Sequence, residues 1–175
     1  QEEIPPADVV VNPHQKDCPY PYKNLCGAGV AWKLVSALWE QLGVPEQELY
    51  EDLLLFAGFA TVGDVMNLTG EKRILVKEAL KLLKTTTHPG ISALIEVNEI
   101  SRETISAFHI GFVLGPCINA SGRLDTAKRA LELLKTTDYE KALVKAAELK
   151  ALNDERKSMT DDGVQQALDQ IENSD

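Results

Sequence analysis

The chain has 175 residues and a formal net charge of −9, from 18 Lys and Arg against 27 Asp and Glu. Its 44 % hydrophobic and 26 % charged content is typical of a globular protein and excludes a disordered tail or a fibrous repeat. No apolar run approaches the roughly 18 residues of a membrane span, so no membrane association is expected. The three cysteines form no CxxC pair, which argues against a disulfide framework or zinc knuckle and favours the cytoplasm.

The N-terminal segment predicts one short strand and an extended loop. Residues 7–12 contain three consecutive valines, which favour a β-strand, and Pro13 ends it. In the loop at 13–24, Tyr20 and Tyr22 alternate with prolines. Their rings either pack the loop or form a platform on which nucleic-acid bases stack. One strand cannot form a sheet, so its partners are expected upstream of this chain or at the edge of another sheet.

Two helices are predicted next. In residues 27–42 apolar side chains recur every three or four positions, and Gly43 is placed to end the helix. Residues 46–60 predict a second helix whose almost wholly apolar second half is expected to be buried. Asp64 follows among small residues. A carboxylate in that position either caps the next turn or binds a divalent cation such as Mg²⁺ or Mn²⁺, which would offset its desolvation.

A third helix is predicted from Glu71, with Thr69 as its N-cap. Four basic residues share one of its faces: Arg73, Lys77, Lys81 and Lys84. Such a stripe is usually a solvated helix face, and the alternative is a contact to phosphate. Pro89 is expected in the first turn of the next helix, and Ser101 is expected to cap the one after it.

Residues 110–122 show no helical period and contain three glycines and a proline, so a strand and a glycine-rich loop are predicted there. The loop leads into a helix predicted at 124–134. Backbone N–H groups at a helix N-terminus, with Arg123 beside them, would bind an anion. The alternative is a tight connection with Ser121 as N-cap.

The last helix is predicted to start at a capping box formed by Thr137 and Glu140. It is either continuous or broken near Gly163. Its apolar residues form one stripe: Tyr139, Leu143, Ala146, Leu149, Leu152, Met159, Val164, Leu168 and Ile171. Because no predicted element covers this stripe, we expect self-association through residues 138–171 or fraying beyond Gly163.

Seven segments of the chain share a family resemblance. They are Ile4–Pro13, Asp17–Lys23, Gly27–Leu34, Thr61–Val65, Gly70–Arg73, Ile110–Leu124 and Leu152–Arg156. In order and spacing they resemble the RecJ family of single-stranded-DNA-specific 5′-to-3′ exonucleases, in the DHH phosphoesterase superfamily. The resemblance covers nearly the whole chain, and the combination of segments is specific although each segment alone is not.

The resemblance implies a role for particular residues. Asp64 would be one ligand of a two-metal Mn²⁺ or Mg²⁺ centre, and Asn119 and Arg123 would lie near the DNA phosphate. Arg73, on the basic helix face, is a weaker candidate for a DNA contact. Cys117 stands where the family usually has an arginine that contacts phosphate.

The resemblance also implies a domain organisation and an activity. Residues 1–136 would be the C-terminal portion of an α/β DHH domain, mainly α-helical as isolated, and 137–175 would start a long helix towards an absent DHHA1 domain. The family's acidic motifs and its Asp-His-His triplet would precede Gln1, so we expect an internal fragment that is inactive alone. The parent would be an exodeoxyribonuclease of DNA repair and recombination.

Two other functions stay open at this point. One is a DHH phosphodiesterase that acts on short oligonucleotides or cyclic dinucleotides. The other is a non-catalytic helical module whose last helix docks a partner.

Overall fold

The computed structural model describes residues 6–43 and 47–173, with side chains except at 47–49. Regular structure within these ranges is helical throughout, which confirms the prediction of a mainly α-helical chain. The helices are α1 (Gly27–Leu42), α2 (Gln47–Gly63), α3 (Gly70–Thr85), α4 (Pro89–Val97), α5 (Ala107–His109), α6 (Gly115–Leu124), α7 (Lys128–Lys135) and α8 (Tyr139–Glu172). One π-helical turn, Ile110–Leu114, joins α5 to α6. None of these helices combines the length and the apolar character that a membrane crossing needs.

The predicted strand at residues 7–12 is wrong. The backbone there is irregular, and Val9 and Val11 are exposed. The side-chain amide of Gln15 donates a 2.7 Å hydrogen bond to the Val10 carbonyl, so one backbone group of the segment bonds locally. Valine favours β-structure mainly because its side chain packs well on the surface of a sheet. The described residues contain no strand with which this segment could pair, so that preference has no effect here.

Two predicted helix ends are confirmed. Gly43 ends α1 with a φ of 63°, a left-handed conformation that glycine adopts without steric cost. Pro89 lies in the first turn of α4, where its missing N–H leaves no helical hydrogen bond unmade. The predicted start of α2 at Glu46 lies outside the described residues, as do Ile4 and Pro5 of the first family segment.

Two predicted N-caps are wrong. The cap of α8 is Asp138, whose carboxylate accepts a 3.1 Å hydrogen bond from the Lys141 amide, and not Thr137. Ser101 lies in a separate turn, and the helix it was expected to cap begins after Ser106. A carboxylate satisfies the free N–H groups of a first turn at least as well as a hydroxyl, which favours the aspartate.

The described helices form two compact units, divided between Leu82 and Leu83. In the first unit α1 packs on α2, and α2 approaches α3 closely at Gly58. A Cβ atom at Gly58 would lie 2.2 Å from the Cβ of Ala79 and 2.9 Å from the carbonyl oxygen of Leu75. The second half of α2 is largely buried, as its apolar sequence predicts.

In the second unit the first half of α8 packs against α4, α6 and α7. Its buried residues are Ala142, Ala146, Leu149 and Asn153. From residue 157 to 173 the same helix is exposed and continues unbroken through Gly163. The apolar stripe of α8 is therefore largely covered inside this unit up to Asn153, although Tyr139 is exposed, and it is open beyond Asn153. The assignment of 1–136 and 137–175 to different domains stays a prediction.

Candidate functional site

Asp64 lies immediately after α2, where its backbone amide donates a 2.8 Å hydrogen bond to the Ala60 carbonyl. The amides of Val65 and Met66 bond to helix carbonyls as well, and Val65 takes a φ of 53°. The Asp64 carboxylate is exposed, so the expected desolvation does not occur in this chain. Among the described residues it accepts no hydrogen bond, so the interpretation as a cap of the next turn lacks support.

The surroundings of Asp64 suit a cation. The C-terminal end of a helix carries partial negative charge, to which this carboxylate adds a full one. However, the described residues contain no group of three or more His, Cys, Asp and Glu side chains that could hold a metal ion. Asp64 can therefore supply one oxygen ligand, and the other ligands must come from elsewhere. Its metal-binding role stays a prediction.

Asn119 and Arg123 are four residues apart in α6, and both side chains are exposed. Side chains at this spacing are neighbours on one helix face, with about 5–6 Å between their Cβ atoms. The structure thus brings together the two residues that the family resemblance assigns to the phosphate. Asp64 and Arg73 belong to the first compact unit, whereas Asn119 and Arg123 belong to the second.

The predicted loop and helix N-terminus before Arg123 are wrong. Residues 110–124 are helical, and the N–H of Gly115 is already bonded to the carbonyl of Ile110 across the π turn. The helix thus offers no free N–H groups near Arg123, which lies in the last turn of α6. The small residues in this segment serve packing instead, because Gly115, Ala120 and Ser121 are buried. Any anion binding here must come from side chains.

The basic face of α3 is solvated. Arg73, Lys77, Lys81 and Lys84 are all exposed. Lys81 forms a 2.8 Å ion pair with Glu78 one turn earlier. These observations agree with the usual interpretation of such a stripe, and a DNA contact by Arg73 stays a prediction.

Sequence reasoning missed a cluster around Glu71 in the first unit. The Tyr20 hydroxyl donates to both carboxylate oxygens of Glu71, at 2.9 and 2.8 Å, and Lys33 forms an ion pair with the same carboxylate. Burial and the hydrogen bond to Glu71 raise the pKa of Tyr20. Burial alone would lower the pKa of Lys33, but its hydrogen bonds to Glu71 and Tyr20 raise it. The partners lie too far apart in sequence for any local pattern to reveal them.

The contacts of Tyr20 and Tyr22 bear on the two interpretations of these tyrosines. The Tyr22 hydroxyl donates a 2.8 Å hydrogen bond to the Thr69 carbonyl, and a Cβ atom at Gly70 would lie 3.0 Å from the Tyr22 ring. The Tyr20 hydroxyl thus bonds to Glu71 in the first turn of α3, and the Tyr22 hydroxyl bonds to the residue before α3. These contacts favour the interpretation that the tyrosines pack the 13–24 loop, and base stacking by their rings is not tested.

Cys117 faces the interior of the second unit and is fully buried. Its thiol donates a 3.7 Å hydrogen bond to the side-chain oxygen of Asn98. Burial raises the pKa of this thiol. The side chain at this position therefore cannot take over the phosphate contact that the family resemblance gives to arginine.

Comparisons with known proteins find relatives of one kind. The chain is 38 % identical over 168 residues to the single-stranded-DNA-specific exonuclease RecJ of Dickeya dadantii, which covers 90 % of the chain and 29 % of the relative. It is 36 % identical over 175 residues to RecJ of Bacillus subtilis, covering 97 % of the chain and 21 % of that protein. The chain thus spans less than a third of either relative. No protein-family model matches it.

Solved structures show the same similarity in the fold. A crystal structure of exonuclease RecJ bound to manganese matches with a TM-score of 0.83 and 33 % identity, over 96 % of this chain and 42 % of that one. RecJ from Thermus thermophilus in complex with Mg²⁺ matches with a TM-score of 0.75 and 33 % identity, over 85 % of this chain and 23 % of that one. The helical arrangement of this chain is therefore one that occurs in larger proteins.

Proposed function

Because this chain belongs to the RecJ family, we propose that it is part of a metal-dependent exonuclease that hydrolyses phosphodiester bonds of single-stranded DNA from the 5′ end. The observation that carries the proposal is the identity of 36–38 % to RecJ proteins over 90–97 % of the chain. In this proposal residues 1–136 complete a DHH domain and 137–175 begin the linking helix. The enzyme acts on DNA in repair and recombination in the cytoplasm.

Asp64 is the metal ligand that this chain contributes in the proposal. Its carboxylate is exposed at the negative end of α2, and no side chain among the described residues competes for it. Mg²⁺ and Mn²⁺ prefer such oxygen ligands. When bound, these ions activate water and neutralise charge on the phosphate.

Asn119 and Arg123 bind the scissile strand in the proposal. The guanidinium of Arg123 can donate two parallel hydrogen bonds to one phosphate, and the Asn119 amide can donate one more from the preceding turn. Both side chains are exposed on the same face of α6. In the proposal these two side chains alone bind the phosphate. The helix N–H groups do not contribute, because the N–H of Gly115 is bonded to the Ile110 carbonyl within the π turn.

The test is nucleotide release from 5′-labelled single-stranded DNA by the longer protein that contains this chain. Asp64→Asn keeps the size of the side chain and removes its charge. Removing a group that merely supports a metal ligand typically lowers metal affinity or activity 10–100-fold. For the ligand itself we therefore expect the rate of nucleotide release to fall by at least about 100-fold. The control is Glu51→Gln, which removes an exposed charge from α2, the helix that Asp64 follows, and should leave the rate unchanged. Equal rates for the two variants would contradict the proposal for Asp64.

We retain self-association through residues 138–171 as a further proposal, on the part of α8 that is exposed. Its open apolar residues are Met159, Val164, Leu168 and Ile171. The test is sedimentation velocity on a variant that carries both Leu168→Glu and Ile171→Glu. This variant keeps the buried half of α8, which truncation at Lys135 would remove. We expect the sedimentation coefficient of the wild-type chain to rise with protein concentration and that of the variant to stay constant. A wild-type chain that is monomeric at all concentrations would contradict this proposal.

A further inference from the structure

Two stacked phenylalanine rings on the second unit face solvent. Phe108 is 61 % exposed and Phe112 is 70 % exposed. Their centroids are 4.9 Å apart and their planes are inclined by 24°. Because a phenylalanine ring gains much free energy on leaving water, an exposed pair of this kind indicates a surface that binds something.

The backbone under these rings is held rigidly. The amide of Ser106 donates a 3.1 Å hydrogen bond to Nδ1 of His109, which fixes the start of the helix. The π turn follows, and Ile110 and Leu114 anchor it because both are fully buried. Single π turns of this type are frequent at functional sites. The exposed rings are therefore presented by a preorganised helix and not by a loop.

The same helix continues into the two polar residues of the proposed phosphate site. Asn119 and Arg123 follow Phe112 along this helix, and all three side chains are exposed. From Phe112 to Arg123 the helix rises by roughly 16 Å, enough for a few nucleotides. Arg123 has no ion-pair partner among the described residues, whereas the nearby Asp125 is paired with Arg129 at 2.5 Å. The guanidinium is thus available for an anion.

We propose that Phe108 and Phe112 form a platform on which bases of single-stranded DNA stack while Asn119 and Arg123 hold its phosphates. The inference rests on the proposed function and adds a base contact to it. Exposed aromatic rings and an unpaired cation on one continuous helix match the bases and the phosphates of a short stretch of single strand. An apolar protein partner would leave that cation unused. Since every base has a π-face, the platform binds without sequence preference.

The test compares a labelled oligothymidylate with an abasic oligonucleotide of the same length, by fluorescence anisotropy on the 175-residue chain at low salt. The wild-type chain should bind the oligothymidylate more tightly. Phe112→Leu keeps an apolar side chain and removes the aromatic ring, so it should weaken that binding about tenfold and leave abasic binding unchanged. Phe112→Trp should restore the preference. Leu131→Ala, at another exposed apolar position of the unit, is the matched control and should change nothing.

Arg123→Gln separates the inference from the function on which it rests. This variant should bind both oligonucleotides more weakly, by the same factor, and its binding should depend less on salt concentration. If Arg123→Gln weakens binding but Phe112→Leu, with unchanged circular dichroism, does not, the platform is refuted and the phosphate site stands. Absence of any binding by the wild-type chain also refutes the platform. The proposed nuclease function is then judged separately, by nucleotide release from the Asp64→Asn variant.

Discussion

Gly115→Ala tests the physical account of the π turn that carries Phe112. A Cβ atom at this position would lie 2.7 Å from the carbonyl oxygen of Ile110. Carbon–oxygen contacts are comfortable at about 3.3–3.6 Å, so the backbone must shift by at least half an ångström. Ile110 cannot yield easily because its side chain is fully buried.

The expected effect follows from two opposing contributions. Forcing an extra methyl group into a packed site typically costs about 1–3 kcal/mol. Replacing glycine by alanine in a helix stabilises it by about 1 kcal/mol. Taking the middle of the first range, about 2 kcal/mol, the net destabilisation of the second unit is about 1 kcal/mol, which lowers the melting temperature of a unit of this size by roughly 4–8 °C.

The assay is thermal unfolding followed by far-ultraviolet circular dichroism, with tryptophan fluorescence recorded in parallel. Both tryptophans, Trp32 and Trp39, belong to the first unit, so their fluorescence reports that unit separately. Gly163→Ala is the control, because a Cβ atom there would have no neighbour within 4 Å. It should raise helicity without lowering the melting temperature. A Gly115→Ala variant as stable as the wild type would refute the reasoning.

Three further predictions concern other parts of the chain. Hydrogen bonds that Lys141 donates to the Asp138 carboxylate lower the pKa of Asp138. The cap therefore stabilises α8 fully above the ordinary aspartate pKa of about 3.9, and this stabilisation is lost as the pH falls through the lower pKa of the folded state. In circular dichroism between pH 6 and 2, Asp138→Asn should therefore lose less helicity than the wild type, and equal losses would contradict this. In Glu71→Gln, Tyr20 should ionise at lower pH, measured by tyrosinate absorbance, because a group that raises its pKa is removed while Lys33 remains. Finally, the purified 175-residue chain should release no nucleotides from single-stranded DNA with Mn²⁺, because its described residues hold no cluster of metal ligands. Activity free of contaminating nuclease would overturn that reasoning.

The sequence predicted helices well where an amphipathic period and an end signal coincide. Helix α1 occupies the predicted residues 27–42 because apolar periodicity and Gly43 indicate the same bounds. The prediction was wrong for 110–122, where glycines suggested a loop. In this π turn the backbone at Gly115 approaches the Ile110 carbonyl too closely for a Cβ atom, and a helical period of 3.6 residues does not reveal such a turn.

The candidate site could be predicted only in part. The local sequence marks Asp64 as a cation ligand or a cap, and Arg123 as part of an anion site or a tight connection. The family resemblance adds Asn119 and the specific roles, because a lone carboxylate or arginine has no distinctive spacing. The Phe108–Phe112 pair was missed because Phe112 belongs to the segment 110–122, for which a strand and a loop were predicted. Once that segment is known to be helical, the four-residue spacing of these aromatic residues places them side by side.

Binding of Mn²⁺ to the longer protein tests most directly the claim that this chain supplies a metal ligand to a RecJ-type nuclease. The measurement is a titration followed by the electron paramagnetic resonance of free Mn²⁺, on the wild type, Asp64→Asn and Glu51→Gln. We predict that Asp64→Asn loses or weakens at least one Mn²⁺ site by about 100-fold or more, while Glu51→Gln binds as the wild type does. Identical Mn²⁺ stoichiometry and affinity in Asp64→Asn and the wild type would contradict the account.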